Sequence, residues 1–192
     1  MAEISRKTKE TDISVKLSLD GKGGSKISTG IHFFDHMLTL FSKHGLLDLE
    51  IQCAGDIEVD GHHTVEDVGI ALGEALNQAL GTKEGISRYG VAYVPMDETL
   101  CRTVVDFSGR PYLVCHAAFP SQKVGEMSTE LIEEFFRALA VQSRANLHIE
   151  VLYGKNSHHI AEAMFKSAAK AICIAVTRDP RVVGIPSTKG VL

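Results

Sequence analysis

The chain has 192 residues, a formal net charge of −4 at neutral pH, 44% hydrophobic and 23% charged side chains. That length suffices for one domain with a sizeable core, or two fused small ones, and the composition is that of a soluble globular protein. The acidic balance excludes a nucleic-acid binder that relies on a general basic field, and no apolar run approaches the length of a membrane span.

Met1 to Asp12 is charged and lacks the apolar core of a secretory signal, so cytoplasmic residence is expected. Ile13 to Leu19 alternates apolar and polar residues and predicts a strand, closed by Asp20-Gly21. The glycine-rich run Gly21 to Lys26 leads into no phosphate-cradling helix and is expected to be a flexible hairpin connection. A helix over Ile31 to His44, a strand over Leu47 to Cys53, a polar turn at Asp60-Gly61 and a helix over His62 to Leu80 complete the first half. The second half repeats this order. Arg102 to His116 is expected to be a hairpin and Thr129 to Gln142 a helix. A strand over Asn146 to Leu152, a turn at Asn156-Ser157 and a helix over His158 to Val176 follow. Apolar residues at three- and four-residue spacing carry the helical predictions: Leu131, Phe135, Ala138, Leu139, and again Ala161, Phe165, Ala168, Ile172. Superposing the halves sets Leu49 on Leu147, Ile51 on Ile149, Leu72 on Ala168 and Ala75 on Ala171. One-faced helices and one-faced sheets stack into layers, and neither half can bury its apolar face alone. The expectation is therefore one α+β domain over residues 1–192, with pseudo-twofold repeats over about 6–88 and 89–180. Cys53, Cys101, Cys115 and Cys173 are widely spaced without a C-x-x-C and read as buried reduced thiols.

The chemistry concentrates in His62-His63-Thr64-Val65-Glu66 and His158-His159-Ile160-Ala161-Glu162, which open corresponding helices. Residues three and four apart share a helix face, so each Glu should lie beside both preceding histidines. Adjacent histidines diverge by roughly 100° about the axis, so each pair suits two ions better than one. In the same alignment His36 falls on Glu134, and both are acceptable ligands for a borderline or hard divalent ion. Eight candidates result: His36, His62, His63, Glu66, Glu134, His158, His159 and Glu162. One such motif alone would read as a capped helix start; two in register, with His36 and Glu134, point to a dinuclear metal centre. His44 and His148 are isolated and read as structural.

Several segments together resemble the imidazoleglycerol-phosphate dehydratase family. They are Phe34-Asp35-His36-Met37-Leu38, Asp60 to Asp67, Pro95-Met96-Asp97-Glu98, Ser108-Gly109-Arg110-Pro111-Tyr112, Gly154 to His159 and Pro186-Ser187-Thr188-Lys189-Gly190. The resemblance runs from about Arg6 to Leu192, essentially the whole chain. It implies a fold of the ribosomal protein S5 domain 2-like kind, with helices packed between or against two mixed sheets. It implies manganese, two ions per active site, and loss of water from D-erythro-imidazoleglycerol phosphate to give imidazole acetol phosphate in histidine biosynthesis. Two Lewis acids on the imidazole would stabilise an imidazolate-like intermediate, because no carbonyl acidifies the departing proton. Glu10, Glu162 and Asp97 are the candidates for moving protons, and sequence does not choose among them. The family positions that hold substrate and its phosphate fall on Glu10, Arg88, Arg110, Ser187 and Lys189, making residues 181–192 a substrate-contacting tail. Trimers assembling into a twenty-four-subunit homo-oligomer, with active sites at subunit interfaces, are also implied; nucleic acid and membrane are not partners. One departure is Glu134, where many family members have a histidine.

Rival classes explain less. Metal storage would account for the ligands but not for Arg88, Arg110, Ser187 and Lys189, and a small-molecule kinase would need a glycine-rich loop opening a helix. A general metal-dependent hydrolase is the runner-up, since open divalent sites also activate water.

Overall fold

A computed structural model describes residues 1–192. The first half consists of β1 (Ala2–Lys7), β2 (Thr11–Ser18), β3 (Ser25–Ser28), α1 (His32–Gly45), β4 (Asp48–Gly55) and α2 (His62–Leu80). The second consists of β5 (Tyr89–Met96), β6 (Thr99–Asp106), β7 (Tyr112–His116), the small hairpin β8 (Lys123–Val124) and β9 (Met127–Ser128), α3 (Glu130–Gln142), β10 (Asn146–Tyr153) and α4 (Ser157–Val176). The four-stranded sheets have orders β1-β2-β4-β3 and β5-β6-β10-β7, the same permutation twice. Each has one parallel pair, β3 with β4 and β7 with β10. The repeat alignment holds to the residue: Ile51 lies between Val15 and Ile27, and Ile149 between Thr103 and Cys115.

Alternation makes the layers. On β2, Ile13, Val15 and Leu17 are buried while Asp12 and Lys16 face out. The helices cover the inner faces, with α2 on β1 and β2 and α4 on β5 and β6, while α1 packs on α4 and α2 on α3. One contiguous apolar core runs through both halves, from Val15 and Phe34 to Phe135 and Ile172, which is why neither stands alone. The α2–α3 contact depends on Gly69, where a Cβ would sit 2.8 Å from the Phe135 carbonyl oxygen. All four helices run the same way. Near their starts a Cβ on Gly61 would lie 3.0 Å from Ile31 and 3.4 Å from Leu131, and the Phe33 and His158 rings are 5.3 Å apart. Four helix N-termini thus gather at one end of the molecule.

Two local expectations are corrected. Arg102 to His116 is not a hairpin: β10 lies between β6 and β7, antiparallel to the first and parallel to the second. Gly21 to Lys26 does not join neighbours either, because β4 separates β2 from β3. It is pinned rather than loose, since one Asp48 carboxylate oxygen accepts from the Lys22 and Gly24 amides at 2.9 and 2.8 Å. None of the cysteines is paired; Cys101 alone is fully buried, and burial pushes its thiol up to about 11. No helix is long and apolar enough to cross a membrane.

Candidate metal centre and active site

Acidic and amide side chains of the polar turns meet the first amides of both motif helices, although only α4 has a side-chain N-cap, the N-cap of α2 being Gly61. Asp60 accepts from the His62 amide at 2.7 Å, and Asn156 accepts from the amides of His158 at 2.9 Å and His159 at 3.4 Å. The following imidazoles splay: His62 and His63 stand at 89° with centroids 6.2 Å apart, His158 and His159 at 87° and 6.3 Å. Each Glu meets only the first histidine of its motif, His62 Nε2 to Glu66 at 3.7 Å and His158 Nε2 to Glu162 at 3.0 Å. The expectation that each Glu flanks both histidines is therefore corrected. The second histidine turns away because a carboxylate from another element draws its ring.

Those carboxylates orient the ring. Asp56, just past β4, faces His63 Nδ1 at 3.0 Å, and Glu98, at the β5–β6 turn, faces His159 Nδ1 at 2.7 Å. An ionised carboxylate only accepts, so Nδ1 carries the hydrogen and Nε2 keeps a lone pair for an ion. These hydrogen bonds are the main reason both imidazoles are held above their usual pKa. Glu98 is held at about 2, first by His159 and then by the Lys155 amide. Beside the free Nε2 atoms lie two carboxylates at hairpin tips: Glu10 is 3.8 Å from His63, and Asp97 is 3.7 Å from His159.

His36, His158 and Glu162 bring three ligand atoms within 4.8 Å of one another. Glu162 Oε1 lies 3.2 Å from His36 Nε2 and 3.0 Å from His158 Nε2, while its other oxygen is paired with Lys166. Burial opposes ionisation of Glu162, but hydrogen bonds from Lys166, His158 and His36 overcome it and hold the carboxyl at about 2. Two imidazoles and a carboxylate on one point fit a divalent first-row ion. In the other half, His62 and Glu66 form the corresponding pair, but Glu134 turns to Arg137 at 3.4 Å. Glu133, one residue earlier, holds the same arginine at 2.7 Å. Glu134→Ala is expected to lower the uptake of added manganese, and Glu133→Ala to leave it unchanged. Equal manganese content in the two variants would remove Glu134 from the ligand set. Of the remaining histidines, His148 takes Asn146 at 2.8 Å, and His44 has its pKa lowered by burial and then by Lys166 and Lys170.

The anion-binding candidates lie elsewhere. The Arg88 amide bonds the Ala175 carbonyl near the end of α4. Its guanidinium takes both oxygens of Asp106, at 2.7 and 3.1 Å, and the Pro186 carbonyl at 2.8 Å. Ser187 accepts from the Lys189 amide at 3.1 Å, and the terminal Leu192 lies against Gly109, next to Arg110. Arg88, Arg110, Ser187 and Lys189 are thus brought to one end of the fold. His158 opens α4 and Ala175 nearly closes it, so at a rise of 1.5 Å per residue the two groups are roughly 25 Å apart. Sequence reasoning missed Asp56, Glu98, Lys166 and Asp106. Two left a signal: Lys166, four residues after Glu162 on one helix face, and Glu98, the last residue of the family-like segment Pro95 to Glu98.

The architecture and its polar cluster define the class first: a duplicated α+β domain whose paired helix starts present histidines and carboxylates. Residues 29–172 match the family described as imidazoleglycerol-phosphate dehydratase. Relatives of that name in Shouchella clausii and Acetivibrio thermocellus are 60% and 57% identical over 190 residues, 99% of this chain and 97% of each relative. The crystal structure of the dehydratase from Staphylococcus aureus is 44% identical with a TM-score of 0.83, covering 93% of this chain and 99% of that one. That from Pyrococcus furiosus, in complex with (S)-C348, is 39% identical with a TM-score of 0.85, covering 98% and 100%. The chain belongs to the imidazoleglycerol-phosphate dehydratase family, the hydro-lyases of histidine biosynthesis.

Proposed function

We propose that this dehydratase acts on D-erythro-imidazoleglycerol phosphate with two manganese ions per active site, in a cytoplasmic homo-oligomer whose sites are shared between copies. The observation that carries this reading is the separation of roughly 25 Å along α4 between the histidine cluster and the Arg88 group. That span is far longer than the substrate, so one chain cannot grip imidazole and phosphate at once. A second copy has to bring its phosphate end to the first copy's histidine end. Trimers building a twenty-four-subunit cage, the assembly implied by family resemblance, would meet this need.

His36, His158 and Glu162 would hold one ion, and His62, Glu66 and Glu134 the other. His63 and His159, turned out of their own clusters by Asp56 and Glu98, would complete the sites of neighbouring copies. Such ions supply Lewis acidity to the imidazole ring and a substrate oxygen. Glu162 is already occupied by Lys166, His158 and His36, which suits a ligand and not a proton carrier. Glu10 and Asp97, at their hairpin tips, are the carboxylates free to move the proton from the carbon beside the imidazole. Ser187, Lys189, Arg110 and Arg88 would take the phosphate, in a tail spanning residues 181–192.

Chelation tests metal and assembly together. Removal of metal is expected to stop turnover of imidazoleglycerol phosphate and shift the sizing profile to smaller species, and manganese to restore both. An active monomer would sink the shared site, and full turnover in metal-free protein would sink the manganese.

A further inference from the structure

Arg88 is held in a way that binding a phosphate does not require. Its backbone adopts φ 67°, the left-handed region that a non-glycine residue enters at a cost and keeps only where its surroundings impose it. Here the Arg88 amide bonds Ala175 at 2.9 Å and its carbonyl accepts from Phe107 at 3.2 Å. The side chain is 11% exposed, with Cζ 4.7 Å from the centroid of the Tyr89 ring. Asp106 takes Nε–H and one Nη2–H, and Pro186 takes one Nη1–H. A guanidinium has five N–H donors, so two remain, one on each terminal nitrogen.

The Pro186 contact closes a series. Asp179 bonds the Gly85 carbonyl, Gly85 bonds the Gly184 carbonyl, both at 2.9 Å, and Arg178 bonds the Glu84 carbonyl at 2.8 Å. Past Pro186 the chain continues through Ser187 and Lys189 to its end. There the Leu192 carboxyl carbon lies 2.6 Å from where a Cβ on Gly109 would project; Gly109 has φ 74° and no such atom. One guanidinium therefore joins β5, β6 and the C-terminal segment.

We propose that Asp106 is a positioning residue for phosphate recognition: it sets the Arg88 guanidinium so that one group both anchors the C-terminal segment at Pro186 and keeps two N–H donors for a phosphate monoester. The inference rests on the reading that this end of the fold binds the substrate's phosphate. Lys83, buried nearby, has its pKa lowered by burial and then by Arg144, against the pull of Asp106. The Asp106 charge thus also keeps neighbouring cations from facing one another unscreened.

The experiment compares Asp106→Asn and Asp106→Glu with wild type in the metal-loaded full chain. The measurements are steady-state kinetics, manganese content and the rate of tryptic cleavage at Arg181 and Lys189. Asp106→Asn is expected to raise KM about tenfold, the loss of one charge-assisted contact, with kcat within about twofold and manganese unchanged. Cleavage of the segment should accelerate about as much. Asp106→Glu, which keeps the charge at a displaced position, should fall between, and it carries the test if the asparagine variant does not fold. Wild-type KM together with wild-type cleavage in Asp106→Asn would overturn the proposal. Faster cleavage with an unchanged KM would leave the anchor standing and overturn the phosphate reading of this end. A fall in kcat at constant KM would overturn the positioning role.

Discussion

Glu162→Gln is expected to empty the His36–His158 cluster of metal and to lower turnover by more than a hundredfold. Outer partners of metal ligands already contribute roughly 10–100-fold in affinity or activity, and Glu162 Oε1 is the atom on which both imidazoles converge. The change also uncovers a second effect. Glu162 and Lys166 are 9% and 15% exposed at the side chain, so an amide at 162 leaves a largely buried lysine without its counter-charge. Breaking such a pair from one side destabilises by about 3 kcal/mol or more. Denaturant unfolding in the presence of chelator separates this loss from that of the metal. Glu66→Gln provides the contrast, because its side chain is 44% exposed and forms an ion pair with His62 alone. The pH dependence has a fixed sign. The folded Glu162 carboxyl sits at about 2 against an ordinary 4.5, so its stabilisation is complete above about 4.5 and is lost as pH falls towards 2. In chelated Glu162→Gln that part of the acid dependence should vanish. Full manganese content and wild-type turnover in the variant would refute Glu162 as a ligand.

Deleting residues 187–192 is expected to lower kcat/KM by roughly 30- to 1600-fold. A neutral hydrogen bond from Ser187 contributes about 0.5–1.5 kcal/mol and a charged one from Lys189 about 1.5–3 kcal/mol, with tenfold for every 1.4 kcal/mol. The deletion keeps the Pro186 carbonyl, so the Arg88 contact survives and the loss reports on the phosphate donors alone. Manganese content should match wild type, because residues 187–192 include none of the eight metal-ligand candidates. Lys189→Ala should reproduce the larger part of the effect. Wild-type rates at low substrate in the truncated enzyme would show that the segment touches no phosphate.

Local order was legible where one segment carries its own period. α2 begins and ends where the spacing puts it, at His62 and Leu80, and the superposition of Leu49 on Leu147 survives as equivalent buried places in two sheets. Strand pairing was not legible, because which strands lie side by side is decided across the whole chain. β6 and β7 are close in sequence yet separated by β10, so proximity suggested a hairpin that the sheet does not contain. β1 went unread for another reason: its residues Glu3, Arg6 and Lys7 hide the alternation that a strand on a sheet edge still obeys. At the site, the ligand types were readable because a helix fixes their spacing. The groups that aim them were not. Asp56 and Glu98 reach their histidines from 7 and 61 residues away, and Asp106 reaches Arg88 across two strands. Each is an ordinary acidic residue until the fold brings it to its partner.

The two carboxylates that turn His63 and His159 do not occupy equivalent places in the repeat. Asp56 follows the last strand of its half, whereas Glu98 sits at the turn between the first two strands of the other. A dimer of identical half-chains could not do this, since symmetry would write every change twice. Joined in one chain, the two halves can carry different residues while their strand orders stay the same. The outcome is a pair of imidazoles with matched orientation, each beside a carboxylate at the corresponding hairpin tip, Glu10 or Asp97, yet turned by carboxylates from different places in the fold.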